Sequence, residues 1–204
     1  MLTPITTLFT DIGKVLLTNG WDRNARQLAV EKFQLDAKEM DDRHHLAFDI
    51  FESGKMSLDA YLDYIVFYEK RTFSKAHFKE FMFQYSQPFE DMLDFVRQLK
   101  DKYHLKVVAV SNEGRELNEY RIQKFHLDSV IDFFVSSSFV YLRKPDPAIF
   151  KIALDMAQTP LDRIIYLDDR KLFVEAAQNL GIKGIVHHSL AETKRELEQY
   201  GLFV

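Results

Sequence analysis

The chain reads as a doubly wound α/β protein with an all-helical segment inserted after its first strand. Three observations predict this class. Five short apolar runs lack polar alternation, as strands of a parallel sheet covered on both faces do. Helical patterns separate the later runs, the alternation from which such sheets are wound. Between residues 17 and 88 the alternation stops, and only helical stripes remain.

The elements follow in order. Ile5 to Asp11 is the first strand. Ala25, Leu28, Ala29 and Phe33 then mark one helical stripe, and Leu46, Ile50 and Phe51 a second. Leu58, Tyr61, Leu62 and Ile65 form a third after the capping residue Ser57. Phe78, Phe81, Met82 and Tyr85 form a fourth after Ser74, and these aromatics are expected in a core. Pro88 marks the return to the sheet. Phe89 to Lys102 is a helix with Met92, Phe95, Val96 and Leu99 on one face, and Lys106 to Ser111 is the second strand. Phe133 to Ser136 is the third. Asp146 and Pro147 are an N-cap and first-turn proline for a helix carrying Ile149, Ile152, Ala153 and Met156. Arg163 to Leu167, a helix from Leu172 to Leu180 stopped at Gly181, and Lys183 to Val186 complete the sheet. Residues 1–16 and 89–204 are therefore expected to form the α/β core, and 17–88 a helical domain upon it.

Composition narrows the function. A chain of 204 residues suits one domain, or one with an insertion. At this size a chain buries roughly 70% of its unfolded surface and needs no covalent staple. It has no cysteine, which excludes disulfides and thiolate metal sites. Met1-Leu2-Thr3-Pro4 lacks the charged and apolar pattern of a secretory leader, and no apolar run is long enough for a membrane span. The net charge of −4, without a basic block, gives no nucleic-acid footprint. A cytoplasmic protein is expected; the patterns set no oligomeric state.

Four polar groups lie at the ends of these runs: Asp11 in Leu8-Phe9-Thr10-Asp11-Ile12-Gly13, Ser111-Asn112, Lys144-Pro145-Asp146 and Asp168-Asp169. An acid, a hydroxyl, a cation and a paired acid suit one phosphate-handling site. In order and spacing they resemble the four motifs of the haloacid dehalogenase-like hydrolase superfamily, from Leu8 to about Gly181. The similarity is to its phosphatase branch, with a helical cap after the first motif and a Rossmann-like core.

The resemblance implies a mechanism. Asp11 attacks phosphorus and forms an aspartyl-phosphate that water hydrolyses. Two like charges at ~4 Å repel by on the order of 4 kcal/mol at an effective dielectric of ~20, so the attack needs a cation. Mg²⁺ is implied, held by Asp11, the Gly13 carbonyl and Asp169, with Asp168 a neighbour or second contact. Ser111 donates to a phosphoryl oxygen with the Asn112 amide nearby, and Lys144 neutralises charge. The implied substrate is a small phosphorylated metabolite, a sugar phosphate among the candidates. Trp21 and the turn from Leu17 to Asp22 are placed at its entrance; His44 and His45 are expected as cap residues, not metal ligands.

Three residues depart from the pattern. Gly13 stands where many of these phosphatases carry a second aspartate as general acid/base, a group typically contributing roughly 10²–10⁴-fold. Lys14 replaces a glycine usual in this branch, and either contacts phosphate or points to solvent. Phe173 replaces a polar residue that orients the metal ligand. A smaller change, Thr10 before the nucleophile, reads as tolerated packing. The departures leave a binding or regulatory protein on a hydrolase scaffold as the alternative. A metal-free 2-haloacid dehalogenase is disfavoured by Gly13 and by the paired acids.

Overall fold

The structure, a computed structural model, describes residues 3–204; Met1 and Leu2, part of the segment read for a leader, lie outside the described residues. Five parallel strands form one sheet in the order β3-β2-β1-β4-β5: β1 Thr7–Thr10, β2 Lys106–Ser111, β3 Phe133–Ser136, β4 Ile164–Asp168 and β5 Lys183–Val186. Helices flank the sheet, so β1 and β4 are buried throughout and β2 nearly so, while the edge strands β3 and β5 are partly buried; this is why the central runs read as continuous apolar stretches. The chain winds outward from β1 through β2 to β3, then returns to β4 on the other side. The strand order reverses at β1 and β4, and the crevice outside their carboxyl ends is where ligands bind in such sheets.

Among the described residues ten α-helices surround this frame. The first four form the insertion after β1: α1 Arg23–Phe33, α2 Ala37–Glu52, α3 Leu58–Ile65 and α4 Lys75–Gln84. Their N-caps are Asp22, Asp36, Ser57 and Ser74, each accepting from a backbone amide three residues on. They then share one core around Ala25, Phe33, Phe51, Tyr61, Leu62 and Phe78, distinct from the two cores flanking the sheet. The remaining helices are α5 Glu90–Tyr103, α6 Arg115–Lys124, α7 Ser137–Val140, α8 Pro147–Ala157, α9 Lys171–Gln178 and α10 Leu190–Glu198.

The helical insertion enters and leaves side by side. Thr18 N donates to Gln87 O at 2.8 Å and Phe89 N to Leu16 O at 2.9 Å. It rests on α6 and α7: Phe83 stacks on Tyr120 at 4.7 Å, Leu58 N donates to Glu116 Oε1 at 2.8 Å, and Ser137 Oγ donates to Glu52 O at 2.6 Å.

Some apolar residues assigned to helical stripes are exposed instead. Leu28, Leu46, Ile50 and Met156 face outward, and their helices bury Ala25 and Ala29, Met40, Ala47 and Phe51, and Ile149 and Phe150. On α2 the buried positions recur at Met40, His44, Ala47 and Phe51, a face that includes a histidine and excludes Leu46. Among the described residues no helix is long and apolar enough to cross a membrane.

Candidate active site

The site is built from the carboxyl ends of β1, β2 and β4. Asp11 is the first residue past β1; its amide donates to Leu167 O at 2.8 Å, continuing the register between β1 and β4. Its Oδ1 accepts from Ile12 N at 2.8 Å and lies 3.1 Å from Lys144 Nζ. Among the described residues Oδ2 has no protein donor.

Lys144 is buried to 1% exposure, in the loop between α7 and α8. Its Nζ lies 2.6 Å from Asp168 Oδ2 and 3.0 Å from Tyr166 Oη. Burial works against its charge, but Asp11 and Asp168 outweigh that and hold Lys144 above its ordinary pKa. Asn112 fixes the backbone beneath it: Lys144 N donates to Asn112 Oδ1 at 2.8 Å and Asn112 Nδ2 donates to Lys144 O at 3.0 Å. The Asn112 amide is thus committed to positioning the lysine, whereas the resemblance placed it beside the phosphate.

One oxygen each from Asp11, Asp168 and Asp169 falls within 4.8 Å of the others. Such an all-carboxylate set suits a hard divalent cation. Asp168 is fully buried and already spent: Oδ2 accepts from Lys144 and Tyr166, and Oδ1 from Arg170 N at 2.8 Å. Burial raises the Asp11 carboxyl to about 7, with Lys144 opposing and Asp168 adding to the shift. Burial and the neighbouring Asp168 also raise Asp169.

Gly13 lines the same cavity, and the structure shows what occupies the place of a side chain there. A Cβ on Gly13 would meet Asn19 Oδ1 at 2.9 Å. Asn19 Nδ2 is itself tied to Asp22 Oδ2 at 3.1 Å. Lys14 takes a φ of +54°, the left-handed region that favours the glycine it replaces, and its Nζ is 3.9 Å from Asp169 Oδ2. Phe173 sets its ring 4.9 Å from Lys144 Nζ, so the position holds a cation–π contact in place of a polar group.

Ser111 is buried, with Oγ 3.4 Å from Ser136 Oγ, and it lines the cavity. Trp21 lines it too, but the indole is committed to the insertion's core: Nε1 donates to Tyr61 Oη at 2.9 Å. The same oxygen lies 2.6 Å from His44 Nδ1, so the indole, the phenol and the imidazole form one hydrogen-bonded chain. Burial, with Arg26 nearby, lowers the His44 pKa to about 4, so the ring is neutral near pH 7. His45 is exposed, with Nδ1 2.7 Å from Asp41 O. Neither histidine joins the carboxylates.

The cavity measures about 340 Å³. Its floor is Asp11, Gly13, Ser111, Lys144 and Asp169; its roof is Asn19, Trp21, Asp22, Arg26, His44 and Glu52 from the helical insertion. Asn19 falls in the turn from Leu17 to Asp22 read as part of the entrance, whereas Arg26 and Glu52 carried no signal in the sequence, because a lone charge on a helix reads as a solvated face.

The fold and site together define an α/β protein of the doubly wound class with a lysine-anchored carboxylate cluster at its switch point. The chain belongs to the haloacid dehalogenase-like hydrolase family, whose profile matches residues 29–187. Asp11 precedes that stretch, so its place rests on the geometry above. The chain is similar to the phosphorylated carbohydrates phosphatase of Thermotoga maritima, 34% identical over 110 residues, covering 53% of this chain and 49% of that protein. It is also similar to the drimenol cyclase drtB of Aspergillus calidoustus, 30% identical over 105 residues, covering 50% of this chain and 20% of that one. These matches thus span a fifth to about half of the relatives' own length. Among solved structures, a haloacid dehalogenase family enzyme of Bacteroides thetaiotaomicron, in complex with magnesium and inorganic phosphate, superposes with a TM-score of 0.77. That match has 20% identity and covers 93% of this chain and 98% of that one.

Proposed function

We propose that this chain is a Mg²⁺-dependent phosphomonoesterase acting on a small phosphorylated metabolite, with sugar phosphates among the candidates. One observation carries the reading: Asp11 meets a buried lysine at 3.1 Å, beside two further carboxylates, at the floor of a polar cavity. The phosphatase relative and the neighbour holding magnesium and phosphate support it.

Asp11 and Asp169, with the Gly13 carbonyl, would hold the cation, which supplies charge neutralisation for the attack on phosphorus. Asp168 acts through Lys144, which it holds in place. An Asp11 oxygen forms the bond to phosphorus as the bond to the ester oxygen breaks, and that oxygen leaves with the electron pair. Lys144 and the Ser111 hydroxyl stabilise the charge on the transferring group. Water then attacks the aspartyl-phosphate, releasing inorganic phosphate and restoring the Asp11 carboxylate. The insertion, residues 17–88, acts as a cap that excludes bulk water and reopens for product.

The Lys14 ammonium near Asp169 favours a second reading, a phosphate-binding protein without turnover. Hydrolysis of p-nitrophenyl phosphate separates the two. The phosphatase reading expects Mg²⁺-dependent release of p-nitrophenol, inhibition by EDTA and loss of activity in Asp11→Asn. Undiminished turnover in that variant would overturn it.

A further inference from the structure

The roof of the cavity holds a guanidinium without a counter-ion. Three cations of the cavity wall are neutralised within the protein: Lys144 by Asp11 and Asp168, Arg121 by Glu113, and Arg143 by Glu52 at 2.6 Å. Arg26 is not. It is half-buried on the first turns of α1, and among the described residues it forms no ion pair within 4.0 Å. Its recorded hydrogen bond runs from Nη1 to Trp21 O at 3.0 Å. That bond anchors one arm of the fork and leaves the rest of its donors.

The acids around Arg26 are committed elsewhere. Asp22 accepts from Ala25 N at 2.9 Å and from Asn19 Nδ2 at 3.1 Å. Glu52 is held by Arg143, and Asp41 Oδ2 lies 3.6 Å from His45 Nδ1. Burial lowers Arg26's pKa, yet a guanidinium stays charged. A partly desolvated cation facing a cavity favours an anion that can take its fork bidentately. Beside it the polar ring of His44 and the exposed Arg23 line the same cavity. The roof thus sets an unpaired guanidinium, with His44 and Arg23 beside it, across the cavity from Asp11 and Lys144.

We infer that Arg26 and His44 bind a second anionic group, a carboxylate or a second phosphate, at the end of the substrate remote from the transferring phosphoryl group. The inference rests on the phosphatase reading for which end reacts; the recognition itself is a binding property. On this account the substrate class is a phosphate ester of a hydroxy or sugar acid, or a bisphosphate.

The test measures binding to the Asp11→Asn protein with Mg²⁺, by calorimetry, for pairs that differ by one anion. Phosphoglycolate, 3-phosphoglycerate and 6-phosphogluconate are each compared with the alcohol: ethylene glycol phosphate, glycerol 3-phosphate and sorbitol 6-phosphate. Fructose 1,6-bisphosphate against fructose 6-phosphate tests a second phosphate. At least one pair is expected to favour the doubly anionic ligand by tenfold or more, and Arg26→Gln to shrink that ratio at least fivefold. Arg26→Met, which keeps the aliphatic stem, repeats the test should the glutamine variant fold poorly. A preference confined to the carboxylates or to the bisphosphate assigns the anion. No preference in any pair, or one that survives both substitutions, overturns the inference. Activity retained by Asp11→Asn would overturn the phosphatase reading alone, since the binding ratios do not depend on turnover.

Discussion

On the proposed mechanism Asp11 meets two opposed demands: it must be charged to attack, and it is buried. Its carboxyl, raised to about 7 without a cation, binds a proton where an exposed aspartate would not. Metal binding needs the carboxylate, so below about pH 7 each unit of acidity should weaken Mg²⁺ binding up to tenfold; above it the affinity should level off. Calorimetric titration of Mg²⁺ from pH 5.5 to 8.5 measures this, and a flat profile would contradict it. Two residues on, Gly13 has an ordinary φ, so the obstacle to an acid there is the Asn19 side chain. Gly13→Asp alone should therefore do little for kcat on an alkyl phosphate, whereas Gly13→Asp with Asn19→Ser should raise it by about tenfold or more. Equal rates for the single and double variants would refute that account. Lys14 holds a left-handed backbone and places a cation near Asp169. Lys14→Gly removes a conformational cost of about 1 kcal/mol, offset by glycine's added chain entropy. Stability should change little while Mg²⁺ affinity rises several-fold, read by thermal melts with and without the ion.

At the scale of elements, the chain Trp21 to Tyr61 to His44 ties the loop after β1 to α3 and α2. The folded pKa of His44, about 4, lies below its ordinary 6.5. The folded state therefore binds fewer protons than the unfolded chain between those values. Its stabilisation is complete above about pH 6.5 and is lost as pH falls toward 4, by up to about 3 kcal/mol. His44→Gln should flatten the acid limb of a denaturation series over that window; an unchanged limb would count against the buried neutral ring. The strands were legible because burial on both faces leaves an uninterrupted apolar run. The α6 helix was not, because its buried face is Leu117, Asn118 and Arg121, two of them polar, and no stripe forms. On α2 the exposed Leu46 and Ile50 drew the eye from the face that turns inward, Met40, His44, Ala47 and Phe51.

Across the whole molecule, the sheet supplies a rigid floor and the helical insertion a roof with its own core. The floor was readable in the sequence, since its polar residues interrupt or end apolar runs: Asp11 just past β1, Ser111 at the end of β2, Asp168 and Asp169 at the end of β4. The roof was legible only in the turn from Leu17 to Asp22, since Arg26 and Glu52 sit among other surface-like charges and only the fold brings them over Asp11. This division explains why the chemistry is more legible than the substrate. The central claim is that Asp11 is the phosphoryl acceptor, and trapping of beryllofluoride tests it most directly. Fluorine NMR of the protein with Mg²⁺, beryllium and fluoride should show a bound adduct that disappears on adding EDTA and is missing from Asp11→Asn. An adduct of equal intensity on Asp11→Asn, or none on the unmodified protein, would contradict the account.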